Sequence, residues 1–287
     1  MNKIVQRLLT FLIGIPLVMF IVWVPFYNHL VLNIAILFAS IISSIELYNM
    51  LSSKTPMLPR VLMVVFGALL PVVAYLLIIF HKNFDYINWF FIVEVLLILA
   101  IEVFSHKTFE DSNSRITAGI FEIFYAGYLF TFLTRLCQYQ MSTLIICLFL
   151  FTTFICDSLA WLFGVTMGKN NKGFVAASPN KSIAGFIGGF VGAIASCLAF
   201  WYLFNVNKQF DFMDSTWWKP VLLGLASAAS CIVGDLAESV LKRSSNVKDS
   251  GVIIPGRGGL LDSIDSIVFH APVFCIVYYF LYNPVIA

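Results

Sequence analysis

The sequence predicts an all-α, polytopic integral membrane protein with about nine transmembrane helices. Hydrophobic residues make up 60% of the 287 positions and charged residues only 11%, whereas soluble domains average roughly 45–50% apolar and about 25% charged residues. Apolar runs long enough to cross a bilayer, which takes roughly 20 residues, recur from one end of the chain to the other. A soluble core cannot bury this much apolar surface, so lipid is the predicted solvent.

Five predicted spans lie in the first half of the chain, at positions 8–26, 30–50, 61–80, 86–104 and 116–136. We interpret the first as a retained helix and not a signal peptide, because no small-residue cleavage site follows it. Single carboxylates interrupt these runs, and we expect them to hydrogen-bond between helices or lie near the interface, with a direct functional role as the alternative. They are Glu46, Glu94, Glu102 and Glu122.

Four further spans are predicted at 141–166, 183–206, 217–241 and 264–282. From about residue 150 onward, Gly, Ser, Lys and Asp concentrate at one set of span ends. We therefore divide the chain into an N-terminal transmembrane region, 1–140 with spans one to five, and a catalytic transmembrane region, 141–287 with spans six to nine. The loops 167–182 and 242–263 belong to the second region in this division.

Lys and Arg placement predicts the orientation, because cytoplasmic loops retain positive charge. With the N-terminus in the cytoplasm, 13 of the 17 Lys and Arg residues fall on the cytoplasmic side. The loops 167–182 and 242–263 then share that side, and the last residue lies outside.

The first polar constellation runs from Asp157 to Ser182. Gly164 and Lys169 do not form a nucleotide-binding P-loop, because their spacing is too short and no strand precedes them. Ser178, Lys181 and Ser182 precede a helix that opens at Ile183, where a cation, hydroxyls and free N–H groups would suit phosphate. A plain helix cap with a cytoplasmic lysine explains the same residues equally well.

The second constellation joins two predicted helices through a basic loop. Asp235 and Ser239 are four apart and share one helix face, while Asp262 and Asp265 are three apart at the start of the next helix. Oxygen ligands on two helices suit Mg²⁺, which completes its shell with phosphates and water. The alternative is a structural salt-bridge cluster. The loop contributes Lys242, Arg243, Lys248, Asp249, Arg257, Gly258 and Gly259.

These segments resemble the CDP-diacylglycerol synthase, or phosphatidate cytidylyltransferase, family. Its signature runs Ser-x-aliphatic-Lys-Arg, four residues, Lys-Asp, then Pro-x-His-Gly-Gly-aliphatic-x-Asp-Arg-aliphatic-Asp. The chain keeps this spacing in Ser-Val-Leu-Lys-Arg at 239–243, Lys-Asp at 248–249 and Pro-Gly-Arg-Gly-Gly-Leu-Leu-Asp-Ser-Ile-Asp at 255–265. It departs from the family at Arg257 (usually His), Ser263 (usually Arg) and Ala184 (commonly an acid).

The resemblance implies that CMP is transferred from CTP to phosphatidate, giving CDP-diacylglycerol and pyrophosphate in phospholipid biosynthesis. It implies a cytoplasmic active site in a multi-pass protein of the cell inner membrane, with CTP, phosphatidate and the bilayer as partners and no nucleic acid. A homodimer and a second cation beside Mg²⁺ are compatible with it. The implied metal ligands are Asp235, Asp262 and Asp265, and Lys181 and Ser239 join them as catalytic residues. The implied substrate-binding residues are Ser178, Ser182, Lys242, Arg243, Lys248, Asp249, Arg257, Gly258 and Gly259.

Other functions remain open from the sequence alone. Within the same class, a polyprenol kinase or a CDP synthase for ether-linked lipids would use similar groups. A proton- or cation-coupled transporter could use Asp157, Asp235 and Glu238, although its site should lie near the midplane of a repeated structure, and no convincing repeat is present. A non-catalytic relative is conceivable because of the departures at Ala184, Arg257 and Ser263.

The charge asymmetry gives a direct test of topology. We expect reporters fused after Lys172 and after Lys248 to report the cytoplasm, and a reporter fused after Ala287 to report the outside, because the positive loops stay inside. A paired alkaline phosphatase and fluorescent-protein fusion at each position measures this. A periplasmic signal at either lysine would contradict the shared cytoplasmic side.

Overall fold

A computed structural model describes residues 3–105, 107–206, 213–214 and 216–286, and it describes their side chains except for those of 3–12, 205 and 206. Over these residues the chain forms α-helices joined by turns, with no β-strand. Eight helical segments are long and apolar enough to cross a membrane, which confirms the predicted fold class. The first predicted span, at 8–26, overlaps a helix at Lys3–Val22 whose described side chains form the apolar segment Ile13–Val22, so this span stays a prediction.

The helix bounds lie within a few residues of the predicted ones. A π-helical turn at Phe124–Tyr128 connects α5 to α6, so that Ser112–Gln138 forms a single candidate span. The helices are α1 (Lys3–Val22), α2 (Phe26–Ser52), α3 (Arg60–Ile79), α4 (Tyr86–Ser105), α5 (Ser112–Ile123), α6 (Leu129–Arg135), α7 (Ser142–Met167), α8 (Ile183–Val206), α9 (Trp218–Ser244) and α10 (Leu261–Tyr282).

The chain divides into two compact units. The first unit contains Met1–Gln138 and Leu241–Ser263, and the second contains Tyr139–Val240 and Ile264–Ala287. The break after Gln138 lies close to the predicted boundary at residue 140. The loop 242–263, placed with spans six to nine in the sequence-based division, belongs to the same compact unit as the N-terminal helices. Its buried hydrogen bonds to α2, described below, account for this.

Polar contacts connect the helices of the first unit. Glu102 of α4 forms an ion pair with Arg115 of α5, at 2.6 Å between oxygen and nitrogen. Glu122 of α5 accepts a hydrogen bond from Ser44 of α2 at 2.8 Å. These contacts confirm the expected hydrogen bonding between helices for both acids. Glu94 is also buried, but among the described residues neither of its carboxylate oxygens has a hydrogen-bond partner.

Glycines bring α7 and α8 together in the second unit. A Cβ atom built on Gly188 would lie 2.5 Å from the carbonyl oxygen of Leu159, and one built on Gly192 would lie 2.8 Å from that of Ile155. Contacts this short show that the two helix backbones touch where the side chain is only a hydrogen atom. The glycines of α8 are therefore packing residues, and their spacing is typical of close helix contacts.

We expect Gly192→Ala to destabilise the protein by about 1–3 kcal/mol, because the added methyl group overpacks the α7–α8 contact. Gly14→Ala is the matched control, since a Cβ at Gly14 meets no atom within 4 Å. Thermal unfolding in detergent compares the two variants. Equal unfolding temperatures would show that the helix backbones are not in contact.

Candidate active site

The segment before α8 is a folded turn in the second unit. The Lys181 N–H donates to the Ser178 carbonyl oxygen at 3.1 Å, and the Ser182 hydroxyl accepts a hydrogen bond from the Gly185 N–H at 3.1 Å. Ser182 is buried, and a side chain at Gly168 would collide with it. Of the two interpretations of this segment, the helix cap is therefore the one that the Ser182 contacts match.

Lys181 forms an ion pair with Asp235 of α9. This contact joins the first polar constellation to the second within one unit, and both residues were predicted to be catalytic. The side chains are 22% and 40% exposed, so the pair lies open to a ligand and not sealed in the interior. A partly exposed pair is partly screened by solvent, so it adds only about 0–1 kcal/mol of stability.

Asp265 of α10 lies at the level of Asp235. The neighbour of Asp235, Gly234, packs against α10, and a Cβ atom built on it would lie 3.1 Å from the Asp265 carbonyl oxygen. Asp265 is buried, and its carboxylate accepts a hydrogen bond from the Ser266 N–H at 2.6 Å. Ser239, one turn further along α9, is also buried. The second unit therefore contains four of the predicted catalytic residues: Lys181 and Asp235 are in contact, Asp265 lies on the part of α10 that packs against Gly234, and Ser239 lies four residues beyond Asp235 on α9.

Asp262 has a different environment, in the first unit. Its Oδ1 atom is 2.5 Å from the Lys242 Nζ, and both side chains are nearly buried, at 6% and 12% exposed. Its Oδ2 atom accepts hydrogen bonds from the N–H groups of Ser250 at 2.7 Å and Gly259 at 2.8 Å. Both carboxylate oxygens are occupied by the protein, so these contacts match the salt-bridge interpretation of this aspartate.

The loop between α9 and α10 folds tightly. Gly258 has a backbone φ of +114°, and its N–H donates to the Ile254 carbonyl oxygen at 3.1 Å. Since the Gly259 N–H is bonded to Asp262, the N–H groups of both predicted phosphate-binding glycines already have acceptors. The side chains of Arg243, Lys248 and Asp249 are exposed, and that of Arg257 is half-buried. Of the predicted substrate-binding residues in this loop, Arg243, Lys248 and Asp249 are therefore the most accessible.

Sequence reasoning missed one residue that organises this loop. Glu46 of α2 accepts hydrogen bonds from the N–H groups of Leu260 and Leu261, each at 2.9 Å, and from the Ser250 hydroxyl at 3.0 Å. The only signal in the sequence was a carboxylate within an apolar run, which is a functional candidate by default. Nothing in the sequence connects position 46 to a loop more than 200 residues away.

Among the residues that the structure describes, no group of three or more His, Cys, Asp or Glu side chains could hold a metal ion. Asp262 bonds to Lys242 and the loop. Asp235 and Asp265 lie on the parts of α9 and α10 that pack together at Gly234. Two carboxylates are sufficient for Mg²⁺ when substrate phosphates and water complete its shell, so these two aspartates are the candidates to hold the ion.

The chain was then compared with known proteins. A sequence profile described as the cytidylyltransferase family matches residues 5–281. The chain belongs to the cytidylyltransferase family. This membership disfavours the transporter alternative and agrees with the resemblance found in the motifs.

Several curated relatives are named phosphatidate cytidylyltransferase. The protein from Bacillus subtilis is 34% identical over 180 residues, 62% of this chain and 63% of the relative. Those from Staphylococcus aureus and Haemophilus influenzae are 43% and 40% identical over 118 and 126 residues, 40% and 44% of this chain. The matched part is 42% of the length of each of these two relatives.

The two aspartate environments predict different effects on stability. Asp262→Asn should destabilise the protein by about 3–5 kcal/mol, because the buried Lys242 loses its partner. Asp235→Asn should cost no more than about 1 kcal/mol, because that ion pair is partly exposed. Thermal unfolding in detergent measures both. If Asp262→Asn unfolded at the same temperature as Asp235→Asn, the buried ion pair would have no structural importance.

Proposed function

We propose that this chain is a phosphatidate cytidylyltransferase, which transfers CMP from CTP to phosphatidate and releases pyrophosphate. The observation on which the proposal rests is the partly exposed Lys181–Asp235 ion pair, on a part of α9 that packs against α10 near Asp265. Family membership and the names of the relatives support the same reaction. The protein would act in the cell inner membrane with its active site on the cytoplasmic side, where CTP is available.

The chemistry requires two polyanions to meet. A phosphate oxygen of phosphatidate attacks the α-phosphorus of CTP, a new P–O bond forms, and the bond from that phosphorus to the bridging oxygen breaks, so that pyrophosphate leaves. Phosphoryl chemistry of this kind depends on positioning and charge neutralisation. Phosphatidate is already ionised near neutral pH, so the reaction needs no strong general base. That agrees with a set of residues made of Lys, Asp and Ser.

The proposal gives a part to each of the four predicted catalytic residues of the second unit. Lys181 would exchange its partner Asp235 for a phosphate group when substrate binds, because the pair is partly exposed. Asp235 and Asp265 are the residues proposed to hold Mg²⁺, which when bound would neutralise phosphate charge. Ser239 would lie beside a phosphate group. Arg243 and Lys248 belong to the first unit, where they are exposed on the 242–263 loop, and are proposed to bind nucleotide phosphate.

The reaction itself can be tested with two labels. The purified full chain in detergent, given phosphatidate, Mg²⁺ and CTP labelled at the α-phosphorus, should transfer that label to the lipid. CTP labelled at the γ-phosphorus should instead give labelled pyrophosphate and unlabelled lipid. A lipid kinase, the nearest alternative, gives the reverse pattern with a polyprenol acceptor. Lipid labelled from the γ-position, or no labelled lipid at all, would overturn the proposal.

The proposed metal pair can be tested by charge removal. Asp235→Asn and Asp265→Asn should each lower turnover by at least about a hundredfold, a barrier increase of about 2.7 kcal/mol, because Asn keeps the size but loses the charge. Asp214→Asn is the matched control, since Asp214 also forms an ion pair with a lysine, Lys219, in the second unit. Turnover per folded molecule is the measurement. Near-normal turnover in both variants would contradict the metal assignment.

A further inference from the structure

Glu46, on α2, accepts hydrogen bonds from backbone N–H groups at the start of α10, although α2 and α10 are far apart in the sequence. Each carboxylate oxygen accepts one of these hydrogen bonds: Oε1 accepts from the Leu260 N–H and Oε2 from the Leu261 N–H, each at 2.9 Å. Glu46 is only 3% exposed. These two N–H groups open the first turn of α10, where the backbone has no internal acceptors and attracts negative charge. The carboxylate therefore satisfies backbone donors that would otherwise have no acceptor at the start of α10.

The atoms around Glu46 leave no room for a side chain at two glycines of the loop, Gly251 and Gly259. A Cβ atom built on Gly251 would lie 2.4 Å from Glu46 Oε1, and one built on Gly259 would lie 2.5 Å from Oε2 and 2.1 Å from the Ser250 hydroxyl. No real Cβ fits at these distances. The second residue of the Gly-Gly pair is thus required by the carboxylate of α2, and this requirement does not involve a ligand.

Ser250 connects Glu46 to the buried ion pair. Its hydroxyl lies 3.0 Å from Glu46 Oε2 and 3.0 Å from Asp262 Oδ2, and the single hydroxyl proton can be donated to only one of them at a time. Asp262 is in turn bonded to Lys242. The loop is therefore attached at both ends, to α2 through Glu46 and to the end of α9 through Lys242.

We infer that Glu46 is a positioning residue that fixes the loop 248–261 for the nucleotide. The inference rests on the proposed function, in which the cations of this loop assist CTP. Lys248 is an exposed, flexible side chain on a loop that contains several glycines. A loop of this kind loses entropy when it is held in one geometry. Because Glu46 fixes the backbone before substrate arrives, binding does not have to order it.

Only a carboxylate matches the donors that face this side chain. A glutamine accepts through one oxygen and presents an NH₂ group at the other position, so it would set a donor against the N–H of either Leu260 or Leu261. Aspartate keeps the charge but is one methylene shorter and reaches both donors less well. The order expected for loop fixation is therefore Glu, then Asp, then Gln.

Hydrogen exchange tests the fixation without any need for turnover. In the full chain in detergent, Glu46→Gln should speed amide exchange of Leu260 and Leu261 at least tenfold, and Glu46→Asp should give an intermediate rate. Glu122→Gln is the matched control, because Glu122 is equally buried and also bonded to a serine, Ser44, but contacts helices only. Exchange in the loop should be unchanged in that variant.

Kinetics supplies the second readout. Glu46→Gln should lower kcat/KM for CTP at least tenfold, mainly through a higher KM. Glu122→Gln should leave kcat/KM for CTP as it is in the unaltered chain. If Glu46→Gln does not fold, Ser250→Ala removes only the connecting hydroxyl, and Ser44→Ala is its control. In that pair, Ser250→Ala alone should raise KM for CTP and speed loop exchange.

The outcomes separate the two proposals. If the unaltered chain transfers no CMP, the proposed function fails, yet exchange at Leu260 and Leu261 still tests the fixation. If the chain is active but Glu46→Gln behaves like Glu122→Gln in both exchange and KM, the inference about Glu46 is overturned and the residue is only a packing element.

Discussion

A carboxylate inside an apolar helix is costly unless a donor within the protein bonds to it, because lipid offers none. Three of the four acids of α2, α4 and α5 have such a donor, and Glu94 is the exception among the described residues. Glu102 is satisfied by Arg115, Glu122 by Ser44, and Glu46 by two backbone N–H groups and Ser250. Each solution joins two segments that are apart in the sequence. The acids therefore specify which segments associate, in a medium where hydrophobic attraction between helices is weak.

The same pair of residue types, Lys and Asp, has two different environments. Lys242–Asp262 is nearly buried and surrounded by backbone donors, whereas Lys181–Asp235 is partly exposed. A buried pair cannot exchange partners without leaving an uncompensated charge, but an exposed pair can. Burial therefore separates an ion pair that stabilises a loop from one that can release its lysine to a phosphate. Residue identity alone does not distinguish them.

The sequence predicted the helical fold class and most helix bounds, because long apolar runs have a single interpretation in lipid. It predicted that Lys181, Asp235 and Asp265 act together, and the structure brings α9 and α10 into contact at Gly234. It could not separate Asp262 from the other aspartates, since spacing along a helix does not reveal burial. It also could not connect Glu46 to the loop, because that contact joins residues 204 positions apart.

The first unit is assembled from two pieces of chain, and this has a consequence for biosynthesis. Its last piece, Leu241–Ser263, leaves the ribosome after nearly all of the membrane helices have been made. Until then, Glu46 lies in an apolar helix without the donors that it has in the finished protein. These contacts can therefore form only after Leu241–Ser263 has been synthesised. A chain that stopped before this piece would leave Glu46 without the three donors that it has in the finished protein.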